Sequence, residues 1–364
     1  MTNKKILIAT GGTGGHIFPA YSLANYLKKK NYELKLTLDN RGFKYLTNTN
    51  NLSLIKIPST PFKKENIFKF FISLFVNIYS IIFSFFFLLF NRPAIIFGTG
   101  GYSSFPICIA ASILRIKFII YENNLIIGKT NRYLLPFAKK VFVSYEDLEG
   151  IPSKYSSKVY KVGNIVRQEI INSNFIDHKK NKFETIQILV LGGSQAAKVF
   201  GEELPLIFKK LKNSNIPIKI FQQCLSSQKE QLKEFYKKLN IECEIFNFTN
   251  NIIDYYSKAN LVITRSGASV LGELINVKVP FIAIPLPSSA DNHQYKNAEF
   301  YQKKGYGYLL EEKEIKNKLY DLINSIFKDK IVIEKILSKQ EQYSDKYIFQ
   351  NLESLIENII NEKN

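Results

Sequence analysis

The chain has 364 residues, enough for two domains that each bury a full core. Its 46% hydrophobic and 14% aromatic content excludes a disordered or low-complexity protein. Fifty Lys and Arg against 31 Asp and Glu give a net charge of +19, which favours an anionic membrane surface or a phosphorylated substrate; no aromatic-interleaved RNA motif, zinc-finger spacing or basic tail supports nucleic acid.

In chain order, the first element is the apolar run Ile6-Leu7-Ile8-Ala9. It leads into Gly11-Gly12-Thr13-Gly14-Gly15-His16 and then a helical pattern through Ala20, Leu23, Ala24 and Leu27. Strand, glycine loop, helix is the expected order. Four glycines let the backbone approach a ligand where any Cβ would clash. The helix N-terminus behind them offers N–H groups to an anion. His16 adds a ring that titrates near neutral pH. The loop is neither a P-loop, since no Lys follows, nor a dinucleotide fingerprint, since Ile17 stands where glycine is required. No signal peptide is expected, because this loop follows one short apolar run. Cys108, Cys224 and Cys243, odd in number and far apart, read as buried thiols of a reducing compartment.

Further apolar runs follow at 34–38, 54–57, 95–98, 118–121 and 141–144. A second series occupies 186–191, 218–222, 244–247, 261–264 and 281–285, with helical stretches between. Nearly continuous apolar strands alternating with helices predict parallel sheets covered on both faces. The second series also opens on a strand-to-glycine turn, Gly192-Gly193-Ser194-Gln195-Ala196-Ala197. The fold class is therefore α/β, with two Rossmann-like domains assigned to residues 1–165 and 166–364. The polar tail carries Leu352, Leu355, Ile356 and Ile359 at helical spacing, and either caps the second domain or crosses back to the first.

Residues 70–90 contain no charge and are rich in Phe, Ile and Leu. Their length would span a bilayer. A spanning helix would cut the first series in two, and Ser73, Asn77, Ser80 and Ser84 break the run. The expectation is one or two helices lying on an anionic membrane, bracketed by Lys63, Lys64, Lys69 and Arg92, with an ordinary buried helix as the next reading and a true span as the last.

Chemistry concentrates at strand ends. Gly98-Thr99-Gly100-Gly101-Tyr102-Ser103-Ser104 is a second glycine loop in the first domain, expected on the same sheet edge as Gly11. Tyr121-Glu122-Asn123-Asn124 puts a carboxylate at that edge, as a base, a hydroxyl ligand or a helix cap. In the second domain, Thr264-Arg265-Ser266-Gly267-Ala268 opens a helix that Ser266 is expected to cap, with Glu273 two turns in, placed for a ribose diol. Ala290-Asp291-Asn292-His293-Gln294-Tyr295 collects hydrogen-bonding side chains suited to a sugar. There is no Asp-x-Asp and no His/Cys cluster, so neither a metal nor a cofactor is expected.

Taken together and in order, Gly11–Pro19, Gly98–Pro106, Glu122–Asn131, Gly163-Asn164, Gly192–Ala197, Arg265–Glu273 and Asp291–Ala298 resemble the MurG family, membrane-associated N-acetylglucosaminyltransferases of peptidoglycan synthesis. The resemblance implies a GT-B fold with the two parallel sheets facing across a cleft. It implies inverting transfer of GlcNAc from UDP-GlcNAc to the C4 hydroxyl of MurNAc in lipid I, giving lipid II, with roles in cell wall biogenesis, cell shape and cell division. The enzyme would work peripherally on the cytoplasmic face of the inner membrane, near other cell-wall synthesis proteins.

By the same resemblance, Ser194, Gln195, Arg265, Ser266 and Gly267 lie by the nucleotide. Phe248 and Thr249 flank the uracil, Glu273 holds the ribose, and His293 and Gln294 read the GlcNAc hydroxyls. Asn164 and Arg167 lie near the donor at the hinge, and Thr13, Gly14, Gly15 and Asn124 reach it from the first domain. Gly11, Gly12, Gly14, Gly15, Gly100, Gly101, Tyr102 and Ser103 cradle the acceptor diphosphate, and His16 and Glu122 both fit the base. Tyr121, Leu125, Ile165, Phe105 and Ala196 depart from the residues usual in the family. Two rival classes remain: an oxidoreductase with Asp39 on a cofactor ribose, and a non-catalytic membrane-surface protein.

Overall fold

The computed structural model describes residues 4–46, 52–61, 66–172, 185–193, 197–249 and 251–362. The chain divides into two compact units, residues 1–168 with 345–364, and residues 169–344.

The first unit contains β1 (Lys5–Ala9), β2 (Glu33–Leu38), β3 (Ser53–Lys56), β4 (Ile95–Gly98), β5 (Phe118–Glu122), β6 (Lys140–Val143) and β7 (Val159–Lys161). Its early helices are α1 (Gly14–Lys29), α2 (Ile67–Phe90), α3 (Phe105–Ile113) and α4 (Lys129–Leu134). All seven strands are parallel, in the order β3-β2-β1-β4-β5-β6-β7. Residues such as Ile6, Ile8, Ile96 and Ile120 are almost wholly buried, as strands covered on both faces require. The edge strand β7 is short and largely exposed, so no apolar run announces it.

The second unit repeats the plan. Its strands are β8 (Ile186–Leu191), β9 (Ile218–Gln223), β10 (Glu242–Phe246), β11 (Leu261–Arg265), β12 (Phe281–Ile284) and β13 (Tyr308–Leu309), in the order β10-β9-β8-β11-β12-β13, all parallel. The helices from the division onward are α5 (Gln168–Asn172), α6 (Lys198–Asn213), α7 (Lys229–Lys238), α8 (Ile252–Lys258), α9 (Ala268–Val277), α10 (His293–Lys303), α11 (Ile315–Lys328) and α12 (Lys330–Glu341). Phe200, Phe208 and Tyr236 close the core of this unit over β8 and β9.

The last helix, α13 (Ile348–Asn361), belongs to the first unit. Ile348, Phe349, Leu352, Ile356 and Ile359 are its buried stripe. Phe349 stacks on Tyr26 of α1 at 5.1 Å between ring centroids. The hydroxyls of Tyr26 and Tyr32 donate to Glu353 and Glu357 at 2.8 and 2.6 Å.

Helix α2 is a single helix of 24 residues, and its amphipathicity is inverted. The buried positions are Ser73, Asn77, Ser80, Ser84 and Leu88, on the side that packs against α3. The residues that looked like breaks in an apolar run are thus its inner stripe. Two of the serine hydroxyls return to their own helix, Ser73 to Phe70 O and Ser80 to Val76 O, each at 2.7 Å. Asn77 donates to Ser73 O and to Thr60 O. Outside, twelve large apolar residues are exposed, from Ile67 and Phe68 through Phe75 and Phe86 to Phe90. By length and composition this helix is able to cross a membrane. Lys63 and Lys64, expected to flank it, lie outside the described residues.

Candidate active site

In each sheet two neighbouring strands send their connections in opposite directions: β1 and β4 in the first unit, β8 and β11 in the second. Ligands of open parallel sheets bind at such points, beyond the carboxyl ends of the strands.

In the first unit, β1 and β4 end level, Ala9 against Gly98. The Gly11 and Gly100 loops therefore emerge side by side. Gly12, Gly100 and Gly101 have φ of 82°, 86° and 75°, a region that side chains disfavour. His16 lies in the first turn of α1, half-buried, with Nδ1 at 2.8 Å from the carbonyl oxygen of Thr99. A carbonyl only accepts, so Nδ1 carries a proton, and Nε2 is the basic nitrogen of the corresponding neutral tautomer. Gly100 and Gly101 lie against this ring. A Cβ added at either would stand 3.3 Å from a ring carbon. Thr13 precedes α1 as its N-cap residue, and its side chain makes no capping hydrogen bond.

Glu122 ends β5 and is 3% exposed. Its Oε1 accepts from the backbone N–H and the side-chain amide of Asn124, at 3.1 and 2.8 Å. Its Oε2 accepts from Gly128 N–H and the Asn131 amide, at 2.8 and 2.9 Å. Four donors match the lone pairs of a carboxylate. This geometry makes Glu122 the anchor of the 123–131 loop and removes the symmetry between Glu122 and His16 as bases. Asn123 extends the anchor by donating to Gly15 O at 3.2 Å.

Asp39 is likewise committed. It accepts from Gly12 and Gly42 N–H and from the Tyr102 hydroxyl, which leaves it unsuited to a cofactor ribose. Tyr121 is buried, and its hydroxyl accepts from Ile165 N–H at 3.0 Å and reaches Gly163 O at 3.2 Å. Asp345, which had no signal in the sequence, accepts from Asn164 N–H at 3.1 Å. The guanidinium of Arg167 lies 4.6 Å from the ring centre of Phe18.

In the second unit the N-cap of α9 is Gly267, not Ser266, and no side chain caps the helix. Ser266 sits one residue earlier, and its buried hydroxyl has no hydrogen-bond partner among the described residues. Ser103, in the corresponding loop after β4, has the same unpartnered hydroxyl. Each unit thus keeps one open serine beside its switch point.

Glu273 is 6% exposed and accepts from the Tyr256 hydroxyl at 2.8 Å, so it is no surface carboxylate. Arg265 departs most from expectation. Its guanidinium is buried, pairs with Glu312, donates to Pro285 O at 3.1 Å and lies over Phe200. Its charge is met inside the unit. Glu312 and Tyr256 were invisible as partners because they lie 47 and 17 residues away in sequence.

His293 opens α10 with Nδ1 at 2.7 Å from Ala290 O, and Gln294 accepts from Leu286 N–H at 3.0 Å. Asp291 and Asn292 before it are both left-handed, with φ of 51° and 55°. Phe248 is exposed, and Thr249 accepts from Asn251 N–H at 3.0 Å. Ser194 and Gln195 lie outside the described residues. Among the described residues no group of three His, Cys, Asp or Glu could hold a metal.

Two all-parallel Rossmann-like units, each with a switch point between neighbouring strands, have the domain plan of the GT-B fold. Residues 6–143 match the glycosyltransferase family 28 N-terminal domain and residues 187–352 its C-terminal domain. The chain is 36% identical to the UDP-N-acetylglucosamine–N-acetylmuramyl-(pentapeptide) pyrophosphoryl-undecaprenol N-acetylglucosamine transferase of Pelagibacter ubique, over 99% of both chains. It is 39% identical to the protein of the same name from Rickettsia felis, over 88% of this chain and 91% of that one. The crystal structure of Acinetobacter baumannii MurG shares the fold, with a TM-score of 0.79, 24% identity and coverage of 98% and 99%. The chain belongs to this family of N-acetylglucosamine transferases.

Proposed function

We propose that His16 is the base of an inverting transfer of GlcNAc from UDP-GlcNAc to the C4 hydroxyl of MurNAc in lipid I, which yields lipid II. The supporting observation is the Thr99 carbonyl on Nδ1, which orients the imidazole at the switch point of the first unit and makes Nε2 the basic nitrogen of that tautomer. Inversion needs one displacement. The acceptor hydroxyl gives its proton to Nε2, its oxygen bonds the anomeric carbon, and the bond to the UDP oxygen breaks. The charge gained by UDP is met by the uncapped start of α9 and by backbone N–H groups. The second unit takes the donor, with Glu273 on the ribose, Phe248 and Thr249 at the uracil, and His293 and Gln294 on the GlcNAc hydroxyls. The glycine loops of the first unit take the acceptor diphosphate.

The acceptor carries a polyprenyl chain, and the inverted helix α2 suits the membrane that holds it. A helix with serines inside and phenylalanines outside is built for an apolar surrounding. The enzyme therefore works peripherally on the anionic cytoplasmic leaflet.

Thermal unfolding with a panel of nucleotides tests the reading. UDP-GlcNAc should raise the melting temperature and nicotinamide dinucleotides should not. Protection by the dinucleotide alone would overturn it.

A further inference from the structure

Asp39 is absorbed by none of the roles above, yet it sits at the junction of both glycine loops of the first unit. It follows β2 and is 1% exposed. Its Oδ1 accepts from Gly12 N–H at 3.0 Å and from Gly42 N–H at 2.9 Å, and its Oδ2 accepts from the Tyr102 hydroxyl. Burial, and then the bond to Asp39, pushes the Tyr102 hydroxyl up to about 12, so it stays protonated and donates. One carboxylate thus ties three loops: the one after β1, the one after β2 and the one after β4.

The Gly11–Gly12 peptide is held from both ends. Its N–H is taken by Asp39, and its carbonyl faces Gly101, where an added Cβ would stand only 3.2 Å from that oxygen. Gly101 in turn lies on the ring of His16. At Gly11 a Cβ would meet Asp39 Oδ1 at 2.6 Å and Ser103 Oγ at 2.2 Å, so glycine is required there by the carboxylate and the neighbouring loop. An unbroken path of contacts runs from Asp39 through the Gly11–Gly12 peptide and Gly101 to the imidazole.

We propose that Asp39 is a positioning residue. By clamping Gly12 and Tyr102 it sets the spacing of the two glycine loops, and through Gly101 the placement of His16, without touching substrate itself. The role rests on the assignment of these loops to the acceptor diphosphate. A buried negative charge behind an anion-binding loop works against the ligand; three donors stabilise the carboxylate here. Asparagine in this place keeps an acceptor for both glycine N–H groups and lets the Tyr102 hydroxyl turn round to accept. Shape, not charge, is what the loops need.

The test is steady-state kinetics with a short-chain lipid I analogue, together with calorimetric titration of UDP. For Asp39→Ala, kcat/KM for the acceptor should fall roughly 100-fold, the scale of a small misplacement of reacting groups, while the UDP dissociation constant stays put. Asp39→Asn should restore most of the loss. Tyr102→Phe, which removes the hydroxyl that Asp39 holds and keeps the ring, should give a smaller loss of the same kind and serves if Asp39→Ala does not fold. Equal losses in the Asn and Ala variants would overturn positioning in favour of charge. Unchanged acceptor kinetics in a folded Asp39→Ala protein would overturn the role altogether. A shift confined to UDP binding would keep Asp39 as the clamp and move the loops from acceptor to donor.

Discussion

The two units share a strand order and the placement of their loops, but they treat charge in opposite ways. Residues 1–168 and 345–364 carry 25 basic and 11 acidic residues, a net +14, while residues 169–344 carry 25 and 20, a net +5. The more basic unit nonetheless puts carboxylates inside its strand-end loops, where Asp39 and Glu122 gather backbone and amide donors. The less basic unit puts a guanidinium there and neutralises it with Glu312. Net charge therefore describes what a unit's surface meets, and says little about its site. Among the described residues, each unit keeps a buried serine hydroxyl without a hydrogen-bond partner beside its switch point, and the start of α9 carries no side-chain cap.

The sharpest way to break this comparison is at the two carboxyl-end candidates of the first unit. His16→Ala should cost about 1,000-fold in kcat, the usual scale for a lost general base, with UDP affinity unchanged. Glu122→Gln should lower stability and leave single-turnover chemistry of the folded protein largely intact; a kcat loss as large as that of His16→Ala would reinstate Glu122 as the base. In the second unit, Glu273→Ala should weaken UDP-GlcNAc by about 2–3 kcal/mol through loss of a charged bidentate hydrogen bond to the ribose. Titration with UDP decides this, and an unchanged dissociation constant would reduce Glu273 to a partner of Tyr256.

Glu312→Gln sharpens the role of Arg265. If the guanidinium is a staple, unfolding by urea should show a loss of about 2 kcal/mol, below the range for a fully buried pair because Glu312 is partly exposed, with UDP affinity steady. If Arg265 is instead reserved for the diphosphate, freeing it would tighten UDP. The smallest effect concerns the surface. Replacing Phe71 and Phe75 with Ser should weaken binding to anionic vesicles about tenfold, ~1.4 kcal/mol, while transfer to a soluble acceptor analogue persists. Raising the salt should weaken vesicle binding further. Binding that ignores salt and survives alkaline carbonate would mean that α2 crosses the bilayer.

Much of the fold was legible because buried parallel strands leave a plain trace. Residues 188–191 and 95–97 are apolar without interruption, and each run leads directly into a glycine. Strands β7 and β13 left no such trace, being two or three residues long at sheet edges where one side stays wet. The glycine loops, His16, Glu122, Arg265 and Glu273 were all legible as strand-end chemistry. Their partners were not. Thr99, Glu312 and Tyr256 come from distant stretches and touch the site residues only once the sheets order their strands.

The amino-acid sequence by itself determined the class of fold, the placing of glycine and titratable residues at strand ends, and the family. Periodicity, glycine spacing and motif order are local properties that need no contacts to be read. Tertiary structure decided which titratable groups remain available for chemistry. Whether a carboxylate is a base or an anchor depends on how many donors surround it, and that is set by how the chain folds back, as the 123–131 loop brings Gly128 and Asn131 to Glu122. It decided also which way α2 faces. Its composition permits either orientation, and packing against α3 turned the serines inward and left the phenylalanines outside.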